Sequence, residues 1–206
     1  MINGGAINSF PINGAPGESF VFDDWTASID PITDVRYYAL ELDDGVLDPV
    51  RIPISSWQAT IQSGQASYAQ AVIPSALPWI DAVNDRAGGE FIVYRGVRFA
   101  NGETQEAVMA RAPLQQIDFD QGPTNSTLRV SGYRQEPPPA TILTRTLRNV
   151  RSRSISAAGL RVRCDIDFFL RPGHIAVALS DELGVAYINY YANASDEYMD
   201  VGERAG

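Results

Sequence analysis

The chain has 206 residues, with 16 basic against 25 acidic side chains for a net charge of -9, one Cys, one His, 17 Gly, 13 Pro and 45% hydrophobic residues. These values exclude a collagen, a coiled coil, an intrinsically disordered chain and a disulfide scaffold, and they allow one large or two small domains with a real core. All basic residues are Arg, whose planar, weakly hydrated guanidinium suits interface ion pairs, although a GC-rich genome is the plainer source of the bias.

The lone Cys164 forms no internal disulfide and cannot build a four-cysteine metal site, which fits synthesis in a reducing compartment. The N-terminus lacks the basic region and apolar run of a secretory signal. No segment reaches the roughly 18 uncharged apolar residues of a membrane span. The expectation is a soluble protein made in the cytoplasm, without stable membrane insertion.

Residues 1–34 are rich in Gly, Pro, Asn and Asp and lack a core period; Ile2-Asn3, Ile7-Asn8 and Ile12-Asn13 recur at a spacing of five that fits neither helix nor strand. This predicts an extended arm in which Ile7, Phe10 and Ile12 need a partner surface to be buried. From 35 to 135 short alternating runs with turn punctuation predict an antiparallel sheet closing toward a barrel. The runs are Arg36–Leu42, Val50–Ile54, Trp57–Gln62, Ser67–Ile73, Glu90–Phe99, Gln105–Ala112, Leu114–Asp120 and Thr127–Arg134, with hairpin turns at Ser63-Gly64 and Asn101-Gly102. One short helix is predicted over Ala76–Arg86, with Pro78 in its first turn and Gly88-Gly89 after its end.

The proline run Pro137-Pro138-Pro139 cannot sit in a central strand, so 136–140 is read as a linker. Beyond it, Leu160, Val162, Cys164, Ile166, Phe168 and Leu170 alternate with charged residues and predict a strand with one wet face. Turns at Arg171-Pro172-Gly173 and Asp181–Gly184 then give a small C-terminal β-meander module over 141–206, with return strands at His174–Leu179 and Val185–Tyr191. The whole reads as mainly β.

Charge is segregated. Residues 1–50 hold nine acids against Arg36, a balance of -8; residues 145–171 hold seven Arg against Asp165 and Asp167, a balance of +5; residues 172–206 hold six acids against Arg204, a balance of -5. Nucleic-acid binding by the basic band is disfavoured by the acidic chain and by the lack of an aromatic ladder. The preferred reading is an assembly interface in which Arg145, Arg148, Arg151, Arg153, Arg161 and Arg163 meet the acidic ends of a neighbouring copy. Tyr190 and Tyr191 are read as interface or core aromatics.

No catalytic or metal constellation emerges, and neither cofactor nor enzymatic activity is predicted. His174 reads as a turn residue and Cys164 as a buried apolar thiol. Asp118 with Asp120, or Asp165 with Asp167, could form a hydrolase pair on one strand face, but the Arg residues beside the latter pair suit stable ion pairs. Asp43-Asp44-Gly45 with Asp48 lacks the remaining ligands of a cation loop and reads as a turn. The sequence contains no nucleophile elbow, phosphate loop, dinucleotide fingerprint or zinc-protease motif.

The run VRIPISSWQATIQSGQASYAQAVIP (Val50–Pro74), the helix ending in DRAGG and the strand EFIVYRG (Glu90–Gly96) resemble the first domain of tail hub and tail-tube-like proteins of long-tailed, non-contractile bacteriophages. The C-terminal YINYYANASDEYMDVGERAG resembles prophage tail and baseplate proteins. The resemblance implies a tail-tube-like barrel and a structural role at the tail tip of the virion, in a trimeric or hexameric ring or hub around the DNA channel. It also implies docking to tail-tube, distal-tail and central fibre or tip proteins, with DNA passing transiently and without sequence specificity. Hub proteins usually carry two barrels, whereas only 35–135 reads as one here. The competing expectation is a host-surface or carbohydrate-binding module, and after it a cell-wall hydrolase.

Overall fold

The computed structural model describes residues 35–203, apart from Pro123, Glu136, Ala158 and Ala194. The arm over 1–34, with Ile7, Phe10 and Ile12, lies outside the described residues.

All eight strands expected between 35 and 135 form, each with ends within two residues of those the alternation predicts. They are β1 (Val35–Asp43), β2 (Val50–Pro53), β3 (Ser56–Gln62), β4 (Ala66–Pro74), β5 (Glu90–Arg98), β6 (Thr104–Pro113), β7 (Gln116–Gln121) and β8 (Ser126–Gln135). The period-2 pattern is clearest in β4, where Ser67, Ala69, Ala71 and Ile73 are buried and the intervening side chains are half-exposed. The predicted helix is shorter than expected: a 3-10 turn, Leu77–Trp79, leads into α1 (Ile80–Asn84). Arg86, just beyond α1, is buried and donates to the Asp48 and Ala82 carbonyls, tying the helix to the loop between β1 and β2.

Two bends carry the chain from one sheet to the other. One sheet has the order β2-β1-β5-β6, and the strands β3-β4-β8-β7 lie side by side in a second, larger sheet. Ile54 N–H donates to Tyr38 O in the first sheet, and the next residue, Ser55, donates to Val72 O in the second, so β2 and β3 act as one bent strand. Leu114 N–H to Gly89 O and Gln115 N–H to Ser131 O make the same transfer between β6 and β7. Pro53 and Pro113 stand at the ends of β2 and β6, where a residue without an N–H leaves a ladder readily. At the second corner a Cβ on Gly132 would lie 1.8 Å from the Pro113 carbonyl oxygen. Only glycine lets β8 and the bend approach this closely.

The strands after Gln135 are β9 (Thr144–Thr146), β10 (Ser152–Ser156), β11 (Gly159–Cys164), β12 (Ile175–Ala178), β13 (Asp181–Gly184), β14 (Tyr187–Asn193) and β15 (Glu197–Gly202). Their order differs from that of consecutive hairpins. β14 pairs with β3 from Tyr187↔Gln62 to Asn193↔Ser56, so the larger sheet runs β10-β11-β15-β14-β3-β4-β8-β7 across the proline-rich stretch. β12 joins β13 and, in parallel, β9. β11 stops at Cys164, short of the predicted Leu170, because the following residues turn on their own side chains. Phe169 N–H donates to Asp167 Oδ1, and Arg171 Nη1 donates to the Phe168 and Leu170 carbonyls. Pro172 then has no N–H with which to extend a ladder.

One core includes residues from both sides of this stretch. Leu40, Phe91, Val93, Ile73 and Leu128 from the first eight strands share it with Val162, Ile188, Met199 and Val201. Trp57 is the junction: buried, it packs against Tyr38 of β1 at 6.4 Å and Tyr190 of β14 at 6.1 Å.

Candidate functional site

An open groove of about 960 Å³ lies where β1, β5, β9 and β15 meet the loops 147–151 and 165–169. Its lining includes five guanidinium groups, Arg36, Arg95, Arg145, Arg148 and Arg151, against the carboxylates of Asp165, Asp167 and Glu197. In a chain of net charge -9 this is a local excess of positive charge.

Glu197 organises the groove's inner wall. Arg95 Nε donates to its Oε2 at 2.7 Å and Arg95 Nη2 to its Oε1, a fork matched to the carboxylate plane. Tyr38 OH donates to Oε2 at 2.6 Å and Arg36 Nη1 to Oε1 at 3.1 Å. Burial pushes the Glu197 pKa up, but the Arg95 bonds and charge, the Tyr38 bond and the Arg36 charge outweigh it and hold the carboxyl below its usual range. Burial and the Glu197 charge together push the Tyr38 phenol up.

The outer wall is held by Arg145 Nε on Asp167 Oδ2 and by Arg151, which donates to Asp165 Oδ1 at 3.1 Å, Asp196 Oδ1 at 2.7 Å and the Glu197 carbonyl at 2.9 Å. Phe168 and Phe169 add two ring faces, lying 5.7 Å from the Arg95 guanidinium carbon and 5.3 Å from that of Arg145.

The remaining band residues also meet acids of their own chain. Arg153 pairs with Asp181, and Arg161 and Arg163 both pair with Asp200. Burial raises the Asp200 pKa, and the bonds from Arg163 and Arg161 outweigh it, so that it stays low. Arg148 is exposed on the groove. The two tyrosines divide: Tyr190 is 3% exposed, its ring covered by the core, whereas Tyr191 faces outward against Tyr198 at 5.3 Å.

Cys164 is fully buried, and burial with nearby carboxylates pushes its thiol up to about 12, the behaviour of an inert core thiol. His174 is buried and its Nδ1 accepts the Arg171 N–H at 3.2 Å; burial and Arg171 hold its pKa down, favouring neutral imidazole. Asp118 and Asp120 are exposed on the edge strand β7. The acidic loop is a set of side-chain turns, with Asp43 Oδ1 accepting the Gly45 N–H and Asp44 Oδ1 those of Val46 and Leu47. Among the described residues no group of three His, Cys, Asp or Glu is arranged to hold a metal, and no helix is long and apolar enough to cross a membrane.

The sequence reading did not single out Arg36, Arg95, Tyr38, Phe168, Phe169 or Glu197 as site residues. The one local signal is Arg95 within the apolar run of β5, since a buried guanidinium requires an acid partner.

The folding pattern thus defines a barrel-like sandwich with bent corner strands, extended by a second strand group. Solved tail proteins have a similar fold. The tail protein from Neisseria meningitidis MC58 superposes with a TM-score of 0.53 at 7% identity, covering 81% of this chain and 95% of that one. The 43 kDa tail protein of prophage MuSo2 from Shewanella oneidensis gives 0.52 at 7% identity, covering 81% and 96%. No known protein-family pattern and no curated protein matches the sequence.

Proposed function

We propose that this chain is a structural subunit of a phage tail tip or baseplate, present in several copies as a ring or hub around the DNA channel and docked to neighbouring tail proteins. The observation that carries this reading is the fold shared with two solved tail proteins along nearly the whole of their chains. Three physical features support it. The acidic chain makes a repulsive lining for phosphate, so DNA slides without sticking. The edge strands β7 and β10 carry unpaired backbone groups that assembly would cover. Ile142, Ile155 and Leu179 are 67%, 70% and 75% exposed on the C-terminal strand group, where a neighbour can bury them. Arg148, Arg153 and Tyr191, with the arm residues Ile7, Phe10 and Ile12, are assigned to partner contacts on this reading.

Mass analysis of purified virions together with low-resolution imaging tests the assignment. The expected result is several copies per particle in a ring at the tail tip, and absence from particles would overturn it.

A second reading, a carbohydrate-binding module for the host surface, is favoured by two surface tyrosine pairs. Tyr191 stacks near Tyr198, and Tyr68 lies 5.0 Å from Tyr133, which is 57% exposed. Binding of the purified protein to host glycans, lost on Tyr133→Ala or Tyr191→Ala, would support that reading over the first.

A further inference from the structure

A second cleft, of about 670 Å³, opens between the β3–β4 hairpin, the middle of β6 and the proline-rich stretch 137–140. Half-buried Ile61, Val108 and Met109 give it apolar walls, Arg111, Arg134 and Arg171 stand along it, and no Asp or Glu is among the described residues that line it. Arg111 reaches Glu90, outside this lining, at 3.7 Å, beyond hydrogen-bond distance, and its Nε has no hydrogen-bond partner among the described residues. The molecule also carries the complementary shape. β12 and β13 pair as far as Ala178↔Asp181, which leaves Leu179-Ser180 as a two-residue hairpin tip. Leu179 sits there at φ +59° and is 75% exposed. A tight hairpin with left-handed backbone at its first position ordinarily takes Gly, and a bulky apolar side chain there is unfavourable in both backbone conformation and hydration. Glu182 is exposed beside the tip, and the ion pair of Arg153 with Asp181 at 2.8 Å sets the edge strand β10, with exposed Ile155, alongside it.

We propose that the Leu179 hairpin tip of one copy docks in this cleft of a second copy, with Leu179 against Ile61, Val108 and Met109 and the Glu182 carboxylate toward Arg111. This rests on the multi-copy reading above and names the contact that links the copies. The two surfaces cannot meet within one molecule. Through Arg153 and Asp181 the tip lies beside β10, and β10 is four strands from the cleft-lining β3 in the order β10-β11-β15-β14-β3, about 19 Å at the usual strand spacing. The cleft instead meets the base of the same hairpin, where Pro172 lines it and the Gly173 N–H donates to the Val185 carbonyl. A knob on one side and a cleft on the other make a head-to-tail contact, in which each copy of a closed ring gives one tip and receives one. Docking removes the most exposed apolar side chain of the C-terminal strand group from water and brings a carboxylate to an arginine-lined wall that has none.

Two full-length variants, Leu179→Cys and Ala140→Cys, are mixed in equal amounts at high concentration and treated with a short bismaleimide; the native Cys164 is buried and adds no product. Ala140 is exposed and lines the cleft. The expected product joins position 179 of one chain to position 140 of another, in at least fivefold higher yield than Leu179→Cys gives with Arg129→Cys, a surface control. Adding Arg111→Glu to the Ala140→Cys chain should lower that yield at least threefold. Leu179→Gly suits the turn, so its thermal midpoint should hold or rise while sedimentation shows self-association at least tenfold weaker. No product above the control, a 179-to-179 product in comparable yield, or unchanged self-association of Leu179→Gly overturns the proposal. Copies per particle are counted separately by mass analysis of virions. Several copies without the 179-to-140 product sink this contact alone, whereas a single copy, or absence from particles, sinks the multi-copy reading beneath it.

Discussion

Arg95 in β5 and Glu197 at the start of β15 are 102 residues apart in sequence, yet they form a two-bond fork that fastens the C-terminal strand group to the first eight strands. The Arg95 side chain is 3% exposed and that of Glu197 is 15% exposed. Removing Glu197 therefore takes the two-bond carboxylate partner from a buried guanidinium. Glu197→Ala is expected to lower the unfolding free energy by about 3–5 kcal/mol. The double variant Arg95→Met/Glu197→Met should lose clearly less. Urea titration of the three proteins checks this, and a double variant as weak as the single would show that the fork's charge balance is not what matters.

The same carboxylate sets the acid limit of the fold. Glu197 and Asp200 both titrate lower in the folded chain than in the unfolded one. Their contribution is therefore complete above the ordinary carboxylate pKa and disappears as pH falls through the depressed folded values. Stability should be nearly level from neutral pH to about 5 and fall steeply below about 4. The Glu197→Gln/Asp200→Asn variant, already weaker at neutral pH, should show a shallower acid limb in urea midpoints measured against pH.

The corner between β6 and β7 depends on one missing methyl group. Gly132→Ala places a Cβ against the Pro113 carbonyl, and backbone rather than a flexible side chain must yield. A loss of about 1–3 kcal/mol or more is expected, read as a lower thermal midpoint. Gly184→Ala, with open space around its Cβ, serves as the control.

Cys164 should be silent until the molecule opens. A thiol pushed up to about 12 and without solvent access presents about a thousandfold less thiolate than an ordinary cysteine near pH 8. Reaction with a thiol reagent should be negligible in the native protein and rapid in urea. Fast native labelling would place Cys164 outside the core.

Much of the first half was legible from period and punctuation. The eight runs between 35 and 135 alternate apolar and polar residues, and each makes a strand because a half-buried sheet requires that repeat. Gly64 and Gly102, at φ +71° and +86°, mark the hairpin tips that Ser63-Gly64 and Asn101-Gly102 announced. The second half was less legible. Leu160, Val162 and Cys164 are buried as their alternation predicts, but the same pattern runs on to Leu170, and nothing in it tells that Asp167 and Arg171 turn the backbone away.

The segregated charge shows the limit most directly. The sequence displays a basic band and an acidic tail, but Arg151 with Asp196 and Arg163 with Asp200 come together only because β15 lies beside β11. Composition and periodicity determine which residues make strands, which side chains seek the interior and that no catalytic set is spelled out in a motif. These are local properties, fixed by the pleat and by side-chain solvation. Tertiary structure alone decided that β14 would extend β3, that bent strands would link two sheets and that five guanidiniums would share one groove. Each of those depends on pairing between distant segments, where many registers satisfy the same alternation and only the shared core around Trp57 selects among them.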